Sequence, residues 1–167
     1  TTHEPFDYPE RNKDLNKDVV FPEPNSLYEF DPKDSGRKHI GQIVENLTER
    51  WVNDTKNNLG RYPGLPFSID GLNKKEIRSK TYQKFIGDFI KSGAAIDDNI
   101  VKILDYLEKE KLIENTIIIY TSDQGYFLGE HGYMDKRCFY EESAKVPFVI
   151  SYPKKLPKGR RVNDLIL

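Results

Sequence analysis

The sequence predicts an α/β fold, a mixed sheet flanked by helices, and three observations point that way. Apolar residues recur at helical spacing over residues 74–111, through Tyr82, Phe85, Phe89, Ile96, Ile100, Ile103, Leu104 and Leu107. That is one long helix, with a bend expected near Gly93. After a polar turn comes the β-branched and aromatic run Thr116, Ile117, Ile118, Ile119, Tyr120, whose apolar continuity suits a strand buried on both faces. A second strand is predicted over 147–152, from Pro147 through Phe148, Val149 and Ile150. In such folds ligands gather at strand ends.

The remaining elements follow in chain order. Pro5, Pro9, Pro22, Pro24 and Pro32 forbid any long helix over residues 1–36, which read as an irregular, extended segment. Ile40, Ile43, Val44, Leu47 and Trp51 place a helix over 38–53. Turn residues, among them Asn57, Asn58, Gly60, Pro63, Gly64 and Pro66, make 54–72 a surface excursion. The apolar ending Leu165, Ile166, Leu167 carries no cap and suggests truncation.

A chain of 167 residues suffices for one domain, or part of one, with a sizeable core. With 32% charged residues and a formal net charge of -1, it has neither a basic surface for nucleic acid nor an acidic tail. No apolar run approaches the roughly 18 residues of a membrane span, and no leader peptide opens the chain. Neither nucleic acid nor membrane is therefore expected as a partner. The one cysteine, Cys138, excludes an internal disulfide and a zinc knuckle, and reads as a packing residue.

The densest chemistry follows the first predicted strand. Asp123 and Gln124 offer a carboxylate and a neutral amide oxygen side by side, hard donors suited to Ca²⁺ rather than zinc; an Asx turn is the plainer alternative. Gly125, Gly129 and Gly132 allow tight turning and close approach to a ligand. Lys136 and Arg137 come next, either a solvated basic pair or cations folded back toward a tetrahedral anion at Asp123.

The run from Ser122 to Ser143, with Ser122, Asp123, Gln124, then Leu128, Gly129, Glu130, His131, Gly132, and Lys136 in the following turn, closely resembles the second conserved stretch of the type I sulfatases. These belong to the alkaline-phosphatase-like superfamily. Asp135, Lys136, Arg137 followed by Tyr140, Glu141, Glu142, Ser143 is most similar to bacterial sulfatases related to the N-acetylglucosamine-6-sulfatases. At the other end, Thr2, His3, Glu4, Pro5, Phe6 is similar to the family segment Lys-x-x-His-x-Pro-Phe. The stretch from Ile96 to Thr116 also resembles the family's approach to its metal-site strand, so the similarity covers most of the chain.

The resemblance implies a partial alkaline-phosphatase-like sandwich, its mixed sheet mostly parallel, with residues 1–167 an internal part of a sulfatase catalytic domain. It assigns Asp123 and Gln124 to Ca²⁺, Lys136 to the sulfate and His3 to the leaving-group oxygen, and it leaves His131 and Arg137 as substrate contacts. His131 is equally readable as structural within its glycine loop. The family nucleophile, a formylglycine formed in a Cys- or Ser-x-Pro-Ser-Arg motif, is absent, because Cys138 is followed by Phe139, Tyr140 and Glu141. The amino-terminal Asp-Asp pair that completes the calcium site is missing too. The chain should therefore hold at most half a metal site and be inactive alone, its partners being a sulfated carbohydrate and the remainder of the parent catalytic domain. A periplasmic or secreted location follows by analogy. The rivals are a phosphatase, phosphodiesterase or phosphoglycerol transferase of the same superfamily, and a non-catalytic carbohydrate-binding fragment.

Overall fold

The computed structural model describes residues 2–29, 42–62 and 64–163. The expectations for 30–36, for the start of the helix over 38–53, and for the chain's end at 164–167 lie outside the described residues.

The amino-terminal segment is irregular, as its prolines require, with short 3-10 turns at Glu10–Asn12 and Asn25–Tyr28. Strand β1 is Gln42–Ile43 and helix α1 is Glu45–Asn57, so the predicted helix begins later and runs a turn longer. Helix α1 stops where Asn58 takes a left-handed conformation (φ 48°). Just beyond, the buried Asp54 carboxylate accepts the backbone N–H groups of Arg61 and Tyr62 at 3.0 and 3.1 Å, folding the excursion back onto the helix.

Helix α2 is Lys74–Lys109, close to the predicted bounds and unbroken at Gly93. A capping box starts it: the Asn73 side chain accepts from the N–H of Lys75 and Glu76, and the Glu76 carboxylate accepts from the N–H of Asn73 at 2.7 Å. Its first half buries Tyr82, Phe85 and Ile86 against Phe6, Leu27, Leu47, Trp51 and Met134.

The two predicted strands appear as β2, Ile118–Thr121, and, after β3 and β4, as β5, Phe148–Ser151. Strands β3, Phe127–Leu128, and β4, Tyr133–Asp135, are too short to show a period in the sequence. Helix α3 is the single turn Glu141–Ala144. The sheets are β1-β4-β3 and β2-β5.

The α/β class is what the structure shows. Among the described residues, however, every pairing is antiparallel, rather than mostly parallel as expected. Strand β2 pairs with β5, with Ile118 opposite Ser151 and Thr121 opposite Phe148. Nor is β2 buried on both faces: Ile119 and Tyr120 are 54% and 51% exposed, and no described residue covers them fully.

Candidate active site at the end of strand β2

The chain leaves β2 at Thr121 and turns at once, the Ser122 hydroxyl donating to the Gln124 carbonyl at 2.7 Å. Gly125 then runs against the α3 segment, donating its N–H to the Ser143 carbonyl at 2.9 Å. A Cβ here would lie 2.1 Å from the Glu142 carbonyl oxygen and 2.7 Å from that of Lys145, so only glycine fits. Beyond it, β3 and β4 form a hairpin whose turn uses Gly129 at φ 103°. The register, Phe127 opposite Asp135, returns Lys136 beside Tyr126 and Gly125.

His3 arrives from the far end of the sequence. Phe6 is buried, its ring 5.2 Å from Phe85 and 6.4 Å from Tyr126, and its N–H donates to the His3 carbonyl at 2.8 Å. This apolar anchor closes a turn that holds the exposed imidazole at the rim.

One open cleft of about 660 Å³ is lined by His3, Asp123, Gln124 and Lys136 together. Its wall also includes Glu142 and Lys145, which sequence reasoning passed over. They reach it through the turn at α3, and the packing of their carbonyls against Gly125 is a contact that no spacing reveals. The Lys136 and Lys145 amines enter no ion pair among the described residues. Tyr126, also in the wall, has its phenol pushed well up by burial and by the Asp135 and Glu4 carboxylates, so it stays protonated at neutral pH.

His131 and Arg137 stand outside that lining. The His131 ring packs on Tyr140 at 4.9 Å, with Glu142 at 3.5 Å from Nε2 and Glu29 at 3.9 Å from Nδ1, and the His131 backbone N–H donates to the Ser26 hydroxyl. Arg137 extends outward with a 65% exposed side chain, 3.8 Å from Asp135, while its N–H donates to the Ser143 hydroxyl. Cys138 is buried and its thiol is pushed up by that burial and by Asp135, as suits a packing residue.

Among the described residues, no three His, Cys, Asp or Glu side chains converge as a complete metal site. Asp123 and Gln124 supply two hard oxygen donors, which by chemistry fit part of the six to eight oxygens that Ca²⁺ takes.

The strand-end cleft thus joins acidic, amide, basic and imidazole groups within an α/β frame. The sulfatase family model matches residues 2–166, and the chain belongs to the sulfatase family. It is 33% identical over 89% of its length to N-acetylglucosamine-6-O-sulfatase of Bacteroides thetaiotaomicron, spanning 32% of that protein. It is 28% identical over 95% of its length to an arylsulfatase of Clostridium perfringens, spanning 27% of it. A solved structure of a protein in complex with its substrate D-glucosamine-2-N,6-O-disulfate superposes with a TM-score of 0.77 at 31% identity, covering 94% of this chain and 38% of that one. A Bacteroides fragilis structure, with a TM-score of 0.53 at 24% identity, bears on the fold alone. These neighbours share the alkaline-phosphatase-like fold, of which the chain is a part.

Proposed function

We propose that the whole protein carrying this chain is a sulfuric ester hydrolase acting on a sulfated carbohydrate, with residues 1–167 an internal part of its catalytic domain. The observation that carries this reading is the cleft itself, in which His3 meets Asp123, Gln124 and Lys136 across some 120 positions of sequence. The sugar we favour is a sulfated glucosamine, the substrate type of the structural relative.

The reaction requires charge control around a tetrahedral anion and a proton for the departing alcohol. Lys136, in the wall beside Asp123, would hold the sulfate and offset its developing charge. His3, exposed at the rim, would give a proton to the leaving-group oxygen. Asp123 and Gln124 would hold Ca²⁺, which when bound polarises sulfate oxygens. The nucleophile, a formylglycine, would come from residues outside these 167. Arg137, projecting into solvent, would meet outlying parts of the sugar, and His131 would act on the substrate side by orienting Glu142.

The bare outer face of β2-β5 supports the domain assignment, since residues beyond this chain would cover it. Among the described residues no helix is long and apolar enough to cross a membrane. We place the protein in the periplasm or outside the cell, which fractionation of the native host tests.

The deciding experiment is sulfate release by the whole protein, its nucleophile matured, from sulfated glucosamines and an aryl sulfate, with and without Ca²⁺. Calcium-dependent release is expected; Asp123→Asn should weaken Ca²⁺ binding, and Lys136→Ala should lower kcat by roughly 100-fold. Hydrolysis of matched phosphate esters without sulfate release would overturn the reading.

A further inference from the structure

We infer that Arg50 is a positioning residue that ties the two walls of the cleft together, an inference that rests on the roles proposed for His3 and Lys136. The His3 imidazole meets the neighbouring Glu4 carbonyl, 3.1 Å from Nδ1, and the Lys136 amine enters no ion pair among the described residues. Each residue is flanked by a carboxylate that points the other way, into the protein: Glu4 after His3, and Asp135 before Lys136.

A chain of contacts through one cation and one amide links those two carboxylates. Arg50, on α1, sends one guanidinium arm to a Glu4 carboxylate oxygen and the other to the Gln42 amide oxygen. The Gln42 amide nitrogen in turn donates to the Asp135 carboxylate at 2.9 Å. The donor and acceptor ends of the Gln42 amide are both used, so the relay is complete from wall to wall.

Burial makes the tie matter. The Glu4 side chain is 10% exposed and that of Asp135 is 8% exposed. The second Glu4 oxygen has no hydrogen-bond partner among the described residues. Without Arg50, Glu4 would lose the cation that makes its burial tolerable, and the Gln42 amide that bonds Asp135 would lose its own anchor.

The backbone beside Lys136 makes it matter again. Asp135 and Arg137 both sit in the left-handed region, at φ 77° and 87°, so Lys136 is presented from a strained corner. Strain of this kind persists only where the surroundings over-determine it. The Gln42 contact holds one side of the corner, and the Arg137 N–H to the Ser143 hydroxyl holds the other.

The relay has two arms with different chemical consequences. The Glu4 arm carries His3, which serves the leaving group. Its loss matters most for a sugar alkoxide, a poor leaving group, and least for a phenolate, which departs without a proton. The Gln42 arm carries Lys136, which serves the sulfate, so its loss falls equally on both substrate types.

The test is kcat of the whole protein on a 6-sulfated glucosamine and on an aryl sulfate. Arg50→Met should lower kcat on the sugar by about 10- to 100-fold, and Arg50→Lys, which restores the pair with Glu4 but not the second arm, should recover part of it. Glu4→Gln should cost more on the sugar than on the aryl sulfate, and Gln42→Leu should cost the same on both. Losses that follow the unfolded fraction alone, equal on the two substrates for every variant, would overturn the inference.

A second readout needs no turnover. In a denaturant-unfolding cycle, Glu4→Gln and Asp135→Asn should be non-additive with Arg50 present and additive in Arg50→Met. Additivity in both backgrounds refutes the tie. Absence of sulfate release with the non-additive cycle intact refutes the proposed reaction and leaves the tie standing.

Discussion

Helix α2 runs through two environments. Between Arg78 and Ser92 it buries Thr81, Tyr82, Phe85 and Ile86. Beyond Gly93 the apolar pattern continues, yet Ile96 and Ile103 are 37% and 61% exposed, Ile100, Leu104 and Leu107 are only half-buried, and the neighbouring β2-β5 sheet shows Val149 at 60%. The two halves differ in what lies opposite them. The first packs on Phe6, α1 and the β1-β4-β3 sheet, all supplied by this chain. The second lines, with Ile118, Tyr120 and Val149, an apolar groove of about 540 Å³ that no described residue fills. Periodicity shows that a face will be buried; it does not say by what. The chain spans about a third of its relatives' length, and under the proposed domain assignment the second half of the pattern would meet residues outside these 167.

The widest contrast in stability tests this directly. In the whole protein, Phe85→Ala should cost about 3–5 kcal/mol, because it empties a packed aromatic site. Val149→Ala should cost about 1–2 kcal/mol there, as at any covered aliphatic position. Both are read from denaturant unfolding. A cost for Val149→Ala within about 0.5 kcal/mol would mean the face remains in water, and the account of the second half fails.

That contrast also explains what was legible. The span of α2 and the existence of β2 and β5 were readable because each is long enough to display its own period. The burial of β2 was not legible, because apolar continuity signals a cover without saying where it comes from, and among the described residues the strand stays largely exposed. Strands β1, β3 and β4, of two or three residues, have no period to detect and exist through pairing with one another. Asp123 and Lys136 drew notice by residue type and order, but their meeting with His3 depends on Phe6 being buried against Phe85, a long-range fact. Only family resemblance joined them beforehand. Arg50 and Lys145 drew no notice, since a single cation in a helix or after a turn resembles any solvated charge until its partners are seen.

The join between the packed region and the bare sheet is the next place to press. Gly125 lies between β2 and β3, against the carbonyls of Glu142 and Lys145. Gly125→Ala forces backbone to move on one side or the other, at a cost of about 1–3 kcal/mol. Because the displaced segment carries two cleft residues, sulfate release should fall even in the fraction that stays folded. An activity per folded molecule equal to wild type would show that the α3 segment plays no part in the site.

The smallest effect separates the two halves of α2 by their carboxylates. Asp98, on the outer half, meets Arg11 at 3.0 Å in a pair half open to solvent, where little stability is at stake. Asp88, on the packed half, has its carboxyl raised above the ordinary 3.8 by burial, which outweighs the ion pair with Lys84 and the charge of Lys91. A raised carboxylate means that the folded state holds its proton after the unfolded chain has released it. As pH climbs from about 3.8 to the raised folded value, the unfolded state binds fewer protons, and this group's contribution to stability declines. Above that window the loss is complete and constant. Asp88→Asn removes the decline, so the difference in unfolding midpoint between variant and wild type should shift in the variant's favour across that window and then level off. A difference that instead moved toward wild type with rising pH would mean that Lys84 and Lys91 outweigh burial at this position.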